Sequence, residues 1–489
     1  MLAVIVLAVA LLFPAPSQQP QGEPIDRVLG AWQGTIEHAG ERRDMILEFV
    51  RSRGRVVMLA STPAIHAWRF PVAIVTMAGN RITSGDSLAI DFDPATDTLT
   101  TTIPAELIPK YRMKTTLRRR EAVIPEARRQ IDAPIRQPAW TASLGAATWA
   151  DVAWLDGQVI VGAEDGRLHA FDEQGRERWT FNAGSAIRAR AVPIGRDVVV
   201  QADGGMLYRV DGRTGKELWR VRIGETIARV PLSDPASRYE NRAPAAAIAG
   251  TRLFTGTHDG RIVALDARSG ARVWEFKTGD AVIATPVVSG GRVFCGSFDG
   301  FVYALDAATG ALAWKHDTGG AVTSAVAVSG RRVLAGSRSF DFEALDAQTG
   351  EVAWQRYFWF SWVESPATVV GTSAYIGSSD AATVSSIDAS SGRVTWSADA
   401  GGSAWGQPAV TTSTVYEGVA GVLHYTAPHK GSLLALDRST GAVKWWYPAR
   451  PPEPAPETLT PYGFAGSAAI GKGKVFIAGL DGVLYAFLQ

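Results

Sequence analysis

Tryptophan returns along this chain at a nearly fixed interval. Trp140, Trp179, Trp219, Trp274, Trp314, Trp354, Trp396 and Trp445 are separated by steps of 39, 40, 55, 40, 40, 42 and 49 residues. A period of about forty residues is the signature of an array built from one supersecondary unit. The repeated residues build the scaffold, so any chemistry must lie in residues that differ from one repeat to the next.

The clearest unit runs from Gly291 to Trp314. Asp299-Gly300 separates two alternating apolar stretches and predicts a tight hairpin with both turn residues at positive φ. The same frame recurs at Asp165-Gly166, Asp203-Gly204, Asp259-Gly260 and Asp481-Gly482. Phe301 to Asp306 alternates like a half-buried strand, and Thr309-Gly310 turns the chain again before the tryptophan. That second turn recurs at Gly175, Gly215, Gly270, Gly350, Gly392 and Gly441. No stretch here keeps a helical period, so each unit is an antiparallel meander of about four strands. Strands of the Ala-Leu-Asp type end at Asp172, Asp211, Asp266, Asp306, Asp346, Asp388, Asp437 and near Phe487. The eighth unit stops before its tryptophan, whereas Trp140 lacks the strands that should precede it. The two defects complement each other. The expected fold is all-β: an eight-bladed β-propeller whose last blade is completed by the strand around Trp140.

The segments Ala264–Trp274, Ala304–Trp314 and Ala344–Trp354 follow Ala-x-Asp-x-x-Thr/Ser-Gly-x-x-x-Trp. This pattern resembles the tryptophan-docking motif of eight-bladed propellers of the pyrroloquinoline-quinone (PQQ) type, over residues 136–489. The resemblance implies that the eight tryptophans wedge between neighbouring blades. It leaves two functions open, because the family holds PQQ-dependent alcohol and sugar dehydrogenases and also non-enzymatic scaffolds of outer-membrane β-barrel assembly. In the dehydrogenases a calcium ion polarises the quinone and a carboxylate takes the substrate proton. The alcohol dehydrogenases also carry an adjacent cysteine pair over the cofactor. Here Cys295 is the single cysteine, so that pair is missing. A lipid-anchoring cysteine after the leader and a Cys-x-x-Cys-His haem motif are missing too.

Residues 1–22 read as a signal peptide, since Met1 to Phe13 is an apolar run followed by proline and polar residues. The expected location is therefore periplasmic or secreted. The formal net charge of +1 gives no electrostatic argument for nucleic acid or an anionic membrane surface. Residues 25–120 show short alternating strands, and Gly30-Ala31-Trp32 is similar to a lipocalin-type opening. They are expected to form a small β-barrel or sandwich, either a cup for an apolar ligand or an accessory domain. Residues 121–135 read as a linker.

Pro231, Pro286, Pro366 and Pro408 each stand twelve residues past a tryptophan and align the strands that line the channel. Just before that position the blades differ. They bring Trp149, Asp151, Arg188, Arg190, Arg229, Glu364, Trp405 and Gln407 toward one axis. Such a set suits a small anionic or planar ligand. Alternatively Arg188 and Arg190 pair with Asp151 and Glu364 to neutralise a wet channel. Tyr357 to Trp362 is an aromatic run; alternation turns half of it away from the blade core, as a wall or partner surface at the channel mouth. Two insertions, Pro231 to Ala247 and the proline-rich Tyr447 to Tyr462, break the period. The seven histidines lack metal-ligand spacing.

These features favour a monomeric, non-catalytic binding or scaffold protein of the cell envelope, with envelope proteins or a small channel ligand as partners. No catalytic residue, metal or cofactor is then expected. The alternative is a PQQ- and calcium-dependent dehydrogenase acting on an alcohol or sugar.

Overall fold

The computed structural model describes residues 24–38, 41–63, 67–84, 88–102, 114–121, 131–232, 234, 237–358, 361–423 and 429–489. The leader reading, Trp359, Phe360 and His424 lie outside them. The described chain is all-β apart from one short 3₁₀ turn at Pro24–Val28.

Eight consecutive strands from Gly30–His38 to Lys114–Arg119 form a closed barrel. The first and last strands join through Trp32↔Arg119 and Gln33↔Arg118. Trp32 is fully buried, and its indole N–H donates to the Val28 carbonyl at 2.7 Å. The Arg119 guanidinium lies 4.3 Å above the indole and donates to the Leu29 carbonyl, which ties the entering turn to the final strand. Leu47, Phe49, Met58, Ile90 and Leu117 are buried in the same cluster as Trp32. That cluster continues into blades five and six, where it takes in Phe342, Tyr357 and Ile376.

Eight four-stranded antiparallel blades follow, the seventh carrying an extra strand. The first blade begins at Ala153–Leu155. The eighth consists of Ala469–Gly471, Lys474–Ala478 and Val483–Leu488 plus Trp140–Ser143. Ala486↔Trp140 through Val483↔Ser143 is the closing register, so the first propeller strand locks the last blade.

Each motif tryptophan docks on the following blade. A side-chain carbon placed on Gly350 would stand 2.8 Å from the Trp314 ring, and Gly175, in blade one, meets Trp140 of blade eight in the same way. Glycine is needed there twice over, for the left-handed φ of +77° at Gly350 and for the close ring. The Trp314 indole N–H reaches the Ala347 carbonyl at 3.1 Å. The aspartate that begins each such turn caps it. Asp306 accepts from the Thr309 backbone N–H and hydroxyl, both at 2.8 Å.

The inner hairpins differ from the expected two-residue turn. Only the glycine has positive φ, and Gly300 N–H donates to the Ser297 carbonyl at 3.2 Å. This is a three-residue loop ending in a left-handed glycine, which suits strands needing a bulge at the turn. In blade two the left-handed residue is Gly205, one position later than the Asp203-Gly204 frame predicts, and in blade five Phe340 takes it. The shift moves Asp203 from the turn's tip to its channel side.

Candidate functional site

One mouth of the channel is built from two loops of each blade: the entry to the inner strand and the turn between the second and third strands. The sequence pattern identified the first loop. The second supplies the partners it missed: Glu164, Asp203, His258, Arg338 and Asp380. Each precedes a turn whose flanks repeat while this residue varies, and that variation was the available signal.

Arg188 bonds Glu164 at 2.5 Å and approaches Asp203 at 3.5 Å, while Arg229 grips Asp203 with two N–H groups, both at 2.9 Å. Arg338 donates to Glu364 at 2.7 Å, and the same carboxylate oxygen accepts from Thr323 at 2.9 Å. The expected pairing of Arg188 and Arg190 with Asp151 and Glu364 is therefore corrected. Arg190 is exposed and makes no ion pair among the described residues. Asp151 accepts from Ser467 N–H at 2.7 Å, and the Ser467 hydroxyl accepts from Gln407 N–H at 2.7 Å. Burial pushes the Glu164 carboxyl up despite Arg188, and it pulls Arg188 down.

The blade-three insertion explains the ring of arginines. The inner strand of that blade starts at Ala247 instead of directly after Pro231, so Arg229 stands before the insertion and not at the strand entry. Residues 237–244 cross the mouth and are pinned from several sides. The carbonyls of Arg238 and Tyr239 accept from Arg338 at 2.7 and 3.2 Å. Arg229 reaches the Glu240 carbonyl, and Arg188 the Asn241 carbonyl at 3.2 Å. Arg242 donates to the Ala465 carbonyl across the channel at 2.8 Å, and Arg238 forks onto Asp280. Glu240 bonds His258. Burial works against its charge, but that bond and Arg238 hold the carboxyl below its usual range. Backbone carbonyls held by charged donors make this a built plug.

Under the plug remains a cavity of about 80 Å³. Trp149, Glu364 and Trp405 line it, so the structure gathers these three of the predicted residues; Tyr239, Arg242 and Trp362 complete its walls. Trp149 and Trp405 stack with centroids 6.1 Å apart, and Trp405 N–H reaches Ser379 at 3.1 Å. The aromatic run supplies a wall at Trp362, but its described aromatic members are not exposed. Tyr357 and Phe358 are fully buried and Trp362 nearly so, because the insertion and neighbouring core cover them; Arg338 sits 4.3 Å over Trp362. The proline-rich insertion leaves residues 450–455 exposed, then returns as Thr460–Gly463 to pair with the end of Thr414–Leu423.

Glu417, on the second strand of blade seven, is wholly buried with neither carboxylate oxygen hydrogen-bonded. Burial raises its pKa well above the ordinary value; Arg242 opposes this and Asp151 adds to it. A raised carboxyl favours the fold while protonated, and that contribution fades as pH climbs from the unfolded value through the folded one. Glu417→Gln is therefore expected to match wild type at pH 4 and to exceed it in urea-unfolding stability at pH 8. Equal stability at both pH values would contradict this.

Comparison with known proteins follows the propeller. A family model described as outer membrane protein assembly factor BamB matches residues 129–239, 222–358 and 343–488. Quinohemoprotein alcohol dehydrogenase ADH IIB of Pseudomonas putida is 30% identical over 106 residues, 21% of this chain and 14% of that protein. The 1-butanol dehydrogenase (cytochrome c) of Thauera butanivorans is 34% identical over 102 residues, 20% of this chain and 14% of that protein. The chain thus spans about one seventh of the length of these curated relatives. Among solved structures, the computationally designed Ika8 protein superposes with a TM-score of 0.55 at 19% identity, covering 71% of this chain and 99% of that one. Quinohemoprotein alcohol dehydrogenase from Comamonas testosteroni gives 0.54 at 15% identity, covering 72% and 76%. These two likenesses show the fold.

Proposed function

The chain belongs to the PQQ_2 family of eight-bladed propellers, described as outer membrane protein assembly factor BamB, and we propose that it is a non-catalytic binding protein of the cell envelope. Its mouth loops and their insertions take protein partners or a small ligand. The observation that carries this reading is the pinned plug over a small cavity.

A dehydrogenase of this architecture would need room for a fused tricyclic tricarboxylate and a calcium ion. The cavity of about 80 Å³ is smaller than the ~150 Å³ cavity that takes a benzene ring. Calcium wants about six to eight oxygen ligands. Glu364 already serves Arg338 and Thr323, and among the described residues no three His, Cys, Asp or Glu side chains are grouped to hold a metal. The residues present do not fit that pair of groups.

Photo-crosslinking in intact cells tests the binding role. Benzoylphenylalanine at Leu459, on the cavity rim, is expected to yield a discrete adduct with an envelope protein, and the same group at the exposed Arg213 is not. Identical products from both sites, or none from Leu459, would contradict the protein-partner part of the reading.

A further inference from the structure

Tyr239 combines three features at one place. It has φ of +56°, a left-handed backbone that a bulky aromatic residue rarely adopts. Its ring meets the Trp362 edge at 5.9 Å and lines the cavity. Its hydroxyl is buried yet has no hydrogen-bond partner among the described residues. Buried hydroxyls are ordinarily satisfied, and local strain persists where the surroundings enforce it, commonly at binding sites.

The remaining walls specify what would satisfy that hydroxyl. Trp149 and Trp405 supply indole surface for a flat group. Arg242 brings N–H donors, while Glu364 brings the carboxylate oxygen that Arg338 and Thr323 do not use. Their charges nearly cancel: Arg242 and Arg338, which is bound to Glu364, stand against Glu364 and Asp380, with His429 also on the wall. An ion entering here would lose hydration without gaining a net counter-charge, whereas a neutral group that both donates and accepts meets matching partners.

We propose that the cavity binds a small uncharged primary amide, with its carbonyl toward Tyr239 and its planar face against Trp149 and Trp405. This rests on the mouth being a binding face.

Acetamide, acetate and acetamidinium share one planar shape smaller than a benzene ring and differ in charge, so titrating each into the full chain by calorimetry and ligand-observed NMR separates the cases. Acetamide is expected to saturate, with the anion and the cation at least about tenfold weaker. Tyr239→Phe should weaken acetamide roughly three- to tenfold, the effect of one lost hydrogen bond. Leu459→Trp, which fills the rim, should abolish binding while the urea-unfolding transition stays in place. Acetate or acetamidinium binding as tightly as acetamide, an undiminished Tyr239→Phe variant, or no saturation at millimolar acetamide would overturn the proposal. Failure of the Leu459 crosslink with acetamide still bound would reject the partner role alone.

Discussion

Arg338→Ala is expected to lower the unfolding free energy by about 3–5 kcal/mol, the usual result of stripping one partner from a buried ion pair. The Arg338 and Glu364 side chains are only 6% and 14% exposed. The guanidinium also holds the Arg238 and Tyr239 carbonyls and covers the Trp362 face, so its loss unpins the plug and leaves the buried Glu364 charge with only the Thr323 hydroxyl. Urea unfolding gives the stability, and proteolysis within residues 237–244 should quicken in the variant. A stability change under about 1 kcal/mol, as at an exposed pair, would contradict this account of the plug.

Trp314→Ala should cost about 3–5 kcal/mol, because it empties a buried volume that no neighbour can refill. The ring packs between Phe294 of its own blade, at 5.8 Å, and Gly350 of the next, and the Ala347 carbonyl loses its indole donor. The loss falls on the blade-four and blade-five seam, as urea unfolding with hydrogen exchange would show. Protection unchanged at residues 344–350 would argue that the docking contact does not hold neighbouring blades together.

The sequence carried the ring clearly because one physical solution is written eight times. Asp306, Gly310 and Trp314 form a single device, a capped turn whose glycine accepts the previous blade's indole, and the device recurs with small changes. The closure by Trp140 was legible for the same reason: the missing parts at the two ends complement each other. Turn geometry was less legible. An Asp-Gly pair suits both a two-residue turn and a three-residue loop with a glycine bulge, so Asp203 was given the wrong phase.

The mouth was legible by half. Trp149, Glu364 and Trp405 were found because their offset from the motif tryptophan is fixed. Their partners belong to a different loop of the blade, at a different offset, and the plug has no repeat to be aligned with. Charge pairing across a ring depends on which loops share a mouth, and that is set by the closed fold. Arg188 was thus assigned to Asp151 although Glu164 and Asp203 hold it. Alternation turned half of the aromatic run outward, whereas the insertion and the adjoining core bury its described members Tyr357, Phe358 and Trp362.

The central claim is that this propeller keeps its family's architecture while the mouth serves binding and not quinone chemistry. Titration of the full chain with PQQ and calcium, followed by quinone absorbance and by dye reduction with alcohols and sugars, tests it most directly. The predicted result is no saturable binding at micromolar cofactor and no turnover. Stoichiometric PQQ binding accompanied by substrate-dependent dye reduction would contradict it.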